Sequence, residues 1–557
     1  MRTCPSVALS LLSALALAAC ASGDHDAAAA ATTDPALGPA ADDPIWSSAD
    51  DGKEDTSASA YVRQIDWDGF VIVPVGADDA TVQTAIARQV KSALGALLHQ
   101  PQISLRDRDA RSNLDPKGFT RQTLKVLAED GTSTGSVDRV TYHYRDRALV
   151  PKAFTRTSFS FVALFDNYAV RASELIPPCS DDPGVEPDSL WFHYDPTRST
   201  CRTAIANDAS AIDEATAALP AGEPAIAAVD VARRFLTVRA QISKVTASPT
   251  TWPELDQLFG FGTERGKLVV YSFFGVDADD KNPHDWGIVE DLRYVRTLRA
   301  VYPELAVVET TPQVFLLDFT VDGQPVAGVT YEDVAAWVLD GKRWPVAAPD
   351  TAKRDALLQQ VRDKFAERWI VWQVPVKATR GNETRPMTIE LRTYWGREDG
   401  QTDWRQAARN RYLEAFWNAD VFTYTGHSHF GHGPLEPVEY SGGNFPDRYQ
   451  VMLFNSCVSY NYYDIDFLEM HPGGPSHLDV VGNGLPAYWP GMGEATAKFV
   501  LGLIDGQDRS WSDVLTGMRV TQPGLPANYE PMRAVTGEEE NRFNPAQGKV
   551  TVQIGGR

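Results

Sequence analysis

Two spacings of apolar residues alternate along this chain. Residues 69–75 (GFVIVPV) form a short unbroken apolar run, the pattern of a buried strand. Val82, Ile86, Val90, Ala93 and Leu97 then recur every three or four residues and predict an amphipathic helix. RVTYHYR (139–145) and SFSFVALF (158–165) read as further strands. Residues 58–247 are therefore expected to form a mixed α/β accessory domain, and no catalytic constellation falls inside it.

A second unit, 248–557, opens near Trp252. KLVVYSFFG (267–275) is an apolar strand that ends in an acidic loop, VDADDKNPHD. Ile288, Leu292, Val295 and Leu298 mark a helix, and LAVVET (305–310) a strand. That succession is β-loop-α-β, the start of a parallel sheet. WIVWQVPVKA (369–378) and MTIELRTYW (387–395) read as strands. Residues 402–419 read as a helix that turns Trp404, Ala408, Tyr412 and Phe416 to the core. DVFTY (420–424), QVMLFN (450–455) and LDVVGNGLPAYW (478–489) supply three more strands, and 493–506 a helix. Ser510 and Asp513 have the spacing of a capping pair for a helix after it. The expected fold class is α/β, with a C-terminal α/β sandwich on a mainly parallel sheet.

Length agrees with this division, since 557 residues exceed what one hydrophobic core holds. The start of the chain belongs to neither unit. A basic MRT, a short apolar VALSLLSALALAA and then Cys20 make a segment too short for a transmembrane helix. Leu17-Ala18-Ala19-Cys20 resembles the bacterial lipobox, which implies cleavage before Cys20 and its acylation; a plain secretory signal cut nearby is the alternative. Ala21 in place of an inner-membrane retention Asp implies sorting to the outer membrane of a Gram-negative cell. Residues 21–57, rich in Ala, Asp, Ser, Thr and Pro, are expected to be a flexible tether. The membrane partnership is then the lipid anchor alone. The net charge of −22 and a pI near 4.9 argue against nucleic acid, whose phosphates need Lys and Arg partners.

The five cysteines sort themselves. Cys4 leaves with the signal and Cys20 takes lipid. Cys179 and Cys201 share one polar, Pro-rich stretch and are candidates for a disulfide in an exported protein, with two free thiols as the alternative. Cys457 has no partner left.

Cys457 sits just past the 450–455 strand, and His427 just past the 420–424 strand. Ligands of open parallel sheets bind beyond the carboxyl ends of strands. Neighbouring strands would bring imidazole and thiol together, and a cysteine beside a histidine becomes a nucleophilic thiolate. Backbone N–H groups of Ser428 and Cys457 are candidate oxyanion donors. His429, His432 and Asn455 are candidates for the cleft around the pair. The plain alternative is a packed histidine and a buried thiol.

YTGHS (424–428) and MLFNSC (452–457), in this order, resemble the His and Cys sites of clan CD cysteine peptidases. That caspase-hemoglobinase fold includes caspases, clostripain and gingipains. KLVVYSFFGVDADD with VEDLRYV is similar to the clostripain opening, and VVGNGLPAYWPGMGEATAKFVLGLIDG with SWSDVL to the closing strand and helix of gingipain-like and CHAT-type members. The likeness spans roughly 255–525. It implies a cysteine endopeptidase in which Cys457 is the nucleophile and His427 the general base, then acid, acting on a peptide or protein substrate with no cofactor required. A degenerate, inactive member serving as a binding scaffold is the alternative. Ser428 replaces the usual Gly, Val-Ser-Tyr follows the Cys, and Asn455 stands where metacaspases carry an Asp that reads basic side chains; Arg or Lys specificity is therefore not implied.

Two metal readings stand beside this one. His427, His429 and His432, with His471, His477 and Asp479 downstream, suggest a metal-dependent hydrolase, since imidazole is a good zinc ligand. The chain has no H-E-x-x-H, and Gly431 occupies the place of the Asp in the metallo-β-lactamase pattern. Asp277, Asp279 and Asp280, with Asn282 and Asp285, are oxygen ligands suited to calcium, or else a solvated acidic loop. The Trp and Tyr residues of 369–424 are expected in core and sheet rather than on a carbohydrate platform.

Overall fold

The computed structural model describes residues 55–107, 118–220, 222, 224–245, 249–263, 265–277, 281–397, 403–431, 435–522, 524–527 and 529–554. The fold is mixed α/β, with two large sheets. The expected signal, the lipidation site Cys20 and the tether up to residue 54 lie outside the described residues, as do Asp279, Asp280 and His432.

The larger sheet has ten strands. Its centre is a run of five neighbours, all parallel: Glu383–Gly396, Lys267–Gly275, Val421–Thr425, Gln450–Asn455 and Leu478–Asn483. Antiparallel strands flank the run, with Arg533–Thr536 and Thr56–Ser57 on one side and Trp369–Arg380, Ala306–Thr311 and Val550–Ile554 on the other. Four pairings are thus parallel and five antiparallel among the described residues, so the sheet is mixed where a mainly parallel one was expected.

The β-loop-α-β succession explains part of the difference. Lys267–Gly275 does open the parallel run, and Trp286–Val301 is the expected helix. The next strand, Ala306–Thr311, does not join its predecessor. Both edges of Lys267–Gly275 are taken by Glu383–Gly396 and Val421–Thr425, and Ala306–Thr311 pairs antiparallel with Trp369–Arg380 at the rim. Its mostly exposed residues fit that place.

Both faces of the parallel run are covered, which is why apolar residues on its strands point to both sides. Leu268, Val270 and Phe274 face one core, with Ile288 and Leu292 of Trp286–Val301 and Val500 of Met492–Ile504. Tyr271 and Phe273 face the other, with Tyr412 and Phe416 of Asp403–Asn418 and Phe467 of Asp464–Met470.

The seven-stranded sheet belongs to the N-terminal unit. Its backbone is the long antiparallel pair Ala60–Pro74 and Ser133–Pro151. Strand character follows from inward alternation, at Ala60 and Val62 and then, after a one-residue slip, at Ile65, Trp67, Val71 and Val73. Asp79–His99 packs on this sheet through Val82, Ile86, Val90 and Leu97, and Asp78 caps its first turn. Cys179 and Cys201 are joined by a disulfide.

One apolar cluster runs without a break from Ile65 and Trp67 to Phe454 and Val480, so the two sheets share a core. Polar contacts reinforce the seam. Arg106 Nε donates to Asp464 at 3.0 Å, Arg147 pairs with Asp55 at 3.3 Å, and Asn461 Nδ2 donates to the Leu105 carbonyl at 2.8 Å. The first described residues are sewn into the far sheet, where Thr56 and Ser57 pair with Val535 and Ala534.

Candidate active site

Three adjacent parallel strands end side by side. The register pairs Thr425 with Phe274 on one flank and with Asn455 on the other. Chain continues from each end into a loop. Two residues on from Thr425 stands His427, two on from Asn455 stands Cys457, and three on from Phe274 stands Asp277. The strands are about 4.8 Å apart, so this register delivers the three residues to one rim of the sheet.

His427 is half-exposed and turned to Asp277. Its Nε2 lies 3.3 Å from Asp277 Oδ1 and 3.2 Å from the Asp277 carbonyl oxygen. The same carboxylate accepts from Trp489 Nε1 at 2.9 Å. Its hydrogen bond with His427 is the main reason that the Asp277 carboxyl titrates below its ordinary value; partial burial works against this. The loop is fixed from behind, because Asp277 N–H donates to Asp285, which also caps Trp286–Val301.

Cys457 is partly buried, and its Sγ donates to the Ala487 carbonyl at 3.4 Å. Burial pushes the thiol above its ordinary value. No hydrogen bond joins this thiol to the His427 imidazole. Val458, immediately after, is left-handed at φ 53°, a costly conformation for a β-branched residue. It turns the chain sharply into the short helix Ser459–Tyr462 and leaves Cys457 at the corner.

The segment 484–490 serves both groups. Its apolar residues predict a continuation of the strand, yet the strand stops at Asn483, and GLPAYWP passes beside Cys457 as a loop. Ala487 holds the thiol and Trp489 holds Asp277. Tyr488 between them packs against Tyr529 at 5.8 Å. Burial pushes the Tyr488 phenol up to about 12, with nearby Cys457 adding to the shift.

Ser428 is buried, and its carbonyl accepts from Tyr463 Oη at 2.9 Å. Among the described residues, neither the Ser428 nor the Cys457 N–H donates a hydrogen bond. His429 lies next to His427, with ring centroids 5.8 Å apart. Asn455 does not face a cleft. It is fully buried, its amide donates to Met492 O and Thr496 Oγ1, and it accepts from Asn483. These bonds tie the strand to Met492–Ile504.

The downstream members of the histidine series are elsewhere. His471 is buried against Gln450, His477 pairs with Asp447, and Asp479 is held in the core by Tyr449, Trp511 and Asn541. Among the described residues no three His, Cys, Asp or Glu side chains converge as a metal-ligand set.

Sequence reasoning did not assign Asp277 to this site, although the residue stood out in the acidic loop. The available signal was positional: an acid just past the end of the strand that neighbours the histidine strand. No protein-family model, curated protein or solved structure matches this chain.

Proposed function

We propose that the chain is a cysteine peptidase of caspase-like architecture, with Cys457 as nucleophile, His427 as base and then acid, and Asp277 orienting the imidazole. The observation that carries this reading is the common register of three strand ends, which sets Asp277, His427 and Cys457 along one rim. The Asp277–His427 contact fixes the orientation of the imidazole. In the reaction the Cys457 thiol leaves the Ala487 carbonyl and gives its proton to His427. The thiolate attacks the substrate carbonyl carbon and a C–S bond forms. The negative oxygen is received by the Ser428 and Cys457 N–H groups. The C–N bond then breaks as the imidazolium gives its proton to the leaving amine. Water, deprotonated by His427, attacks the thioester, the acid leaves, and the thiol recovers its proton.

Within the same proposal, the first twenty residues export the chain and Cys20 carries the lipid that holds it at the outer membrane. Hydrolysis of a fluorogenic peptide library, in the presence of a chelator, tests the chemistry. Cys457→Ala and His427→Ala are expected to abolish turnover; full activity of Cys457→Ala sinks the proposal.

A second reading, a binding scaffold on the same sheet, draws support from the thiol's bond to Ala487 and its raised titration. Iodoacetamide alkylation separates the two. A Cys457 rate that persists below pH 7 and collapses in His427→Ala supports the peptidase, whereas an ordinary thiol profile supports the scaffold.

A further inference from the structure

The loop after His427 has an unusual backbone. His429, Phe430 and Gly431 are all left-handed, at φ 48°, 56° and 77°. Such a run is costly for residues that carry a Cβ, and it persists only where its surroundings impose it. Phe430 shows what imposes it. Its ring meets Trp191, Phe192 and His193 edge-on, at centroid distances of 5.8, 5.0 and 6.4 Å. All three come from the N-terminal unit, on the short helix Leu190–His193.

That helix is itself firmly held. It lies within the segment closed by the Cys179–Cys201 disulfide, and Asp195 N–H donates to the Cys179 carbonyl at 2.8 Å. Trp191 is buried, with Lys91 Nζ 4.9 Å above its ring. Gly95 allows Asp79–His99 to come this close, since a Cβ there would stand 1.7 Å from the Trp191 carbonyl oxygen. From the other side, Tyr424 Oη donates to the His427 carbonyl at 2.6 Å and Tyr463 Oη to that of Ser428.

We infer that the disulfide-closed segment of the N-terminal unit is a clamp on the histidine loop, with Trp191 and Phe430 as positioning residues that fix His427 on the sheet rim. The clamp gives the N-terminal unit a task in the chemistry without placing any of its groups in the site. Its catalytic consequence rests on the peptidase reading above; its mechanical part does not.

The test uses the full chain. Amide hydrogen exchange of the 424–431 peptide is measured in wild type, Phe430→Ala, Trp191→Ala, and the ring-retaining Phe430→Tyr and Trp191→Phe. Phe159→Ala, in the same unit but packed on Phe154 and Phe161, controls for lost stability. The two alanine variants are expected to raise exchange at 424–431 by about tenfold or more, and the ring-retaining variants and Phe159→Ala to leave it near wild type. The Cys457 alkylation profile against pH is expected to move toward an ordinary thiol in the alanine variants alone. Unchanged loop exchange in both alanine variants overturns the clamp. Raised exchange with an unmoved alkylation profile overturns the positioning of His427. A wild type that hydrolyses no peptide overturns the peptidase reading instead, and the exchange data still decide the clamp.

Discussion

At the scale of single residues, the site divides into groups the sequence exposed and one it concealed. His427 and Cys457 stood out because each follows an apolar run that could only be a buried strand. Asp277 was concealed because its role depends on which strands are neighbours, and that is a property of the closed sheet. Asn455 was misjudged for a related reason: parity alone does not say which face of a fully covered strand looks to solvent. In the structure its amide faces the helix Met492–Ile504. If Asp277 orients the imidazole, Asp277→Ala lowers kcat by about a hundredfold with little change in KM, the magnitude of losing one oriented acid-base contact. Steady-state kinetics on the best peptide of the library checks this, and an unaltered kcat removes Asp277 from the mechanism. Trp489→Phe keeps the ring and loses only the indole N–H that steadies Asp277. It is expected to shift kcat in the same direction by less.

At the scale of elements, strands were legible and their company was not. Lys267–Gly275 and Gln450–Asn455 match their apolar runs to the residue. The apolar run after Leu478 predicts a longer strand than forms: past Asn483 the carbonyls of Leu485 and Ala487 turn to the Val458 N–H and the Cys457 thiol. Packing between helices turns on one glycine that no periodicity marks. Gly95→Ala pushes a methyl group into the backbone of Leu190–His193. Such overpacking costs about 1–3 kcal/mol or more. Urea unfolding should show a lower midpoint with the slope kept, and a midpoint equal to wild type would mean that the two helices part easily. Opening the disulfide acts on the same element. It closes a 22-residue separation, for which loop entropy gives roughly 3 kcal/mol. Cys179→Ser with Cys201→Ser is expected to lower the unfolding midpoint accordingly.

At the scale of the whole molecule, the seam between the two sheets gathers more acid than base. Burial, which disfavours the charged form, raises Asp146 to about 8 and Asp464 and Glu539 to about 7. Around them stand Asp55, Asp107 and Glu538 with Arg106 and Arg147. Each raised carboxyl binds its proton more tightly folded than unfolded. The folded state therefore holds more protons between about pH 4 and pH 8, and stability falls as pH rises through that window, by at most about 1.4 kcal/mol per pH unit for each group. Thermal melts from pH 5 to pH 8 should show a declining midpoint, and Asp464→Asn should flatten the decline. A midpoint that climbs toward pH 8 contradicts the account. None of this was readable in the sequence, where the overall charge was visible but not the burial of a chosen few.

The pairing of Thr56–Ser57 with Arg533–Thr536 also sets a timetable. Ser57 waits for a partner 476 residues downstream, whose carbonyl accepts its hydroxyl. The first turns of the N-terminal sheet can close long before then, but the edge that sews both units together cannot. The seam between the sheets therefore stays open to water until Arg533–Thr536 is in place, whichever side of a membrane the chain folds on.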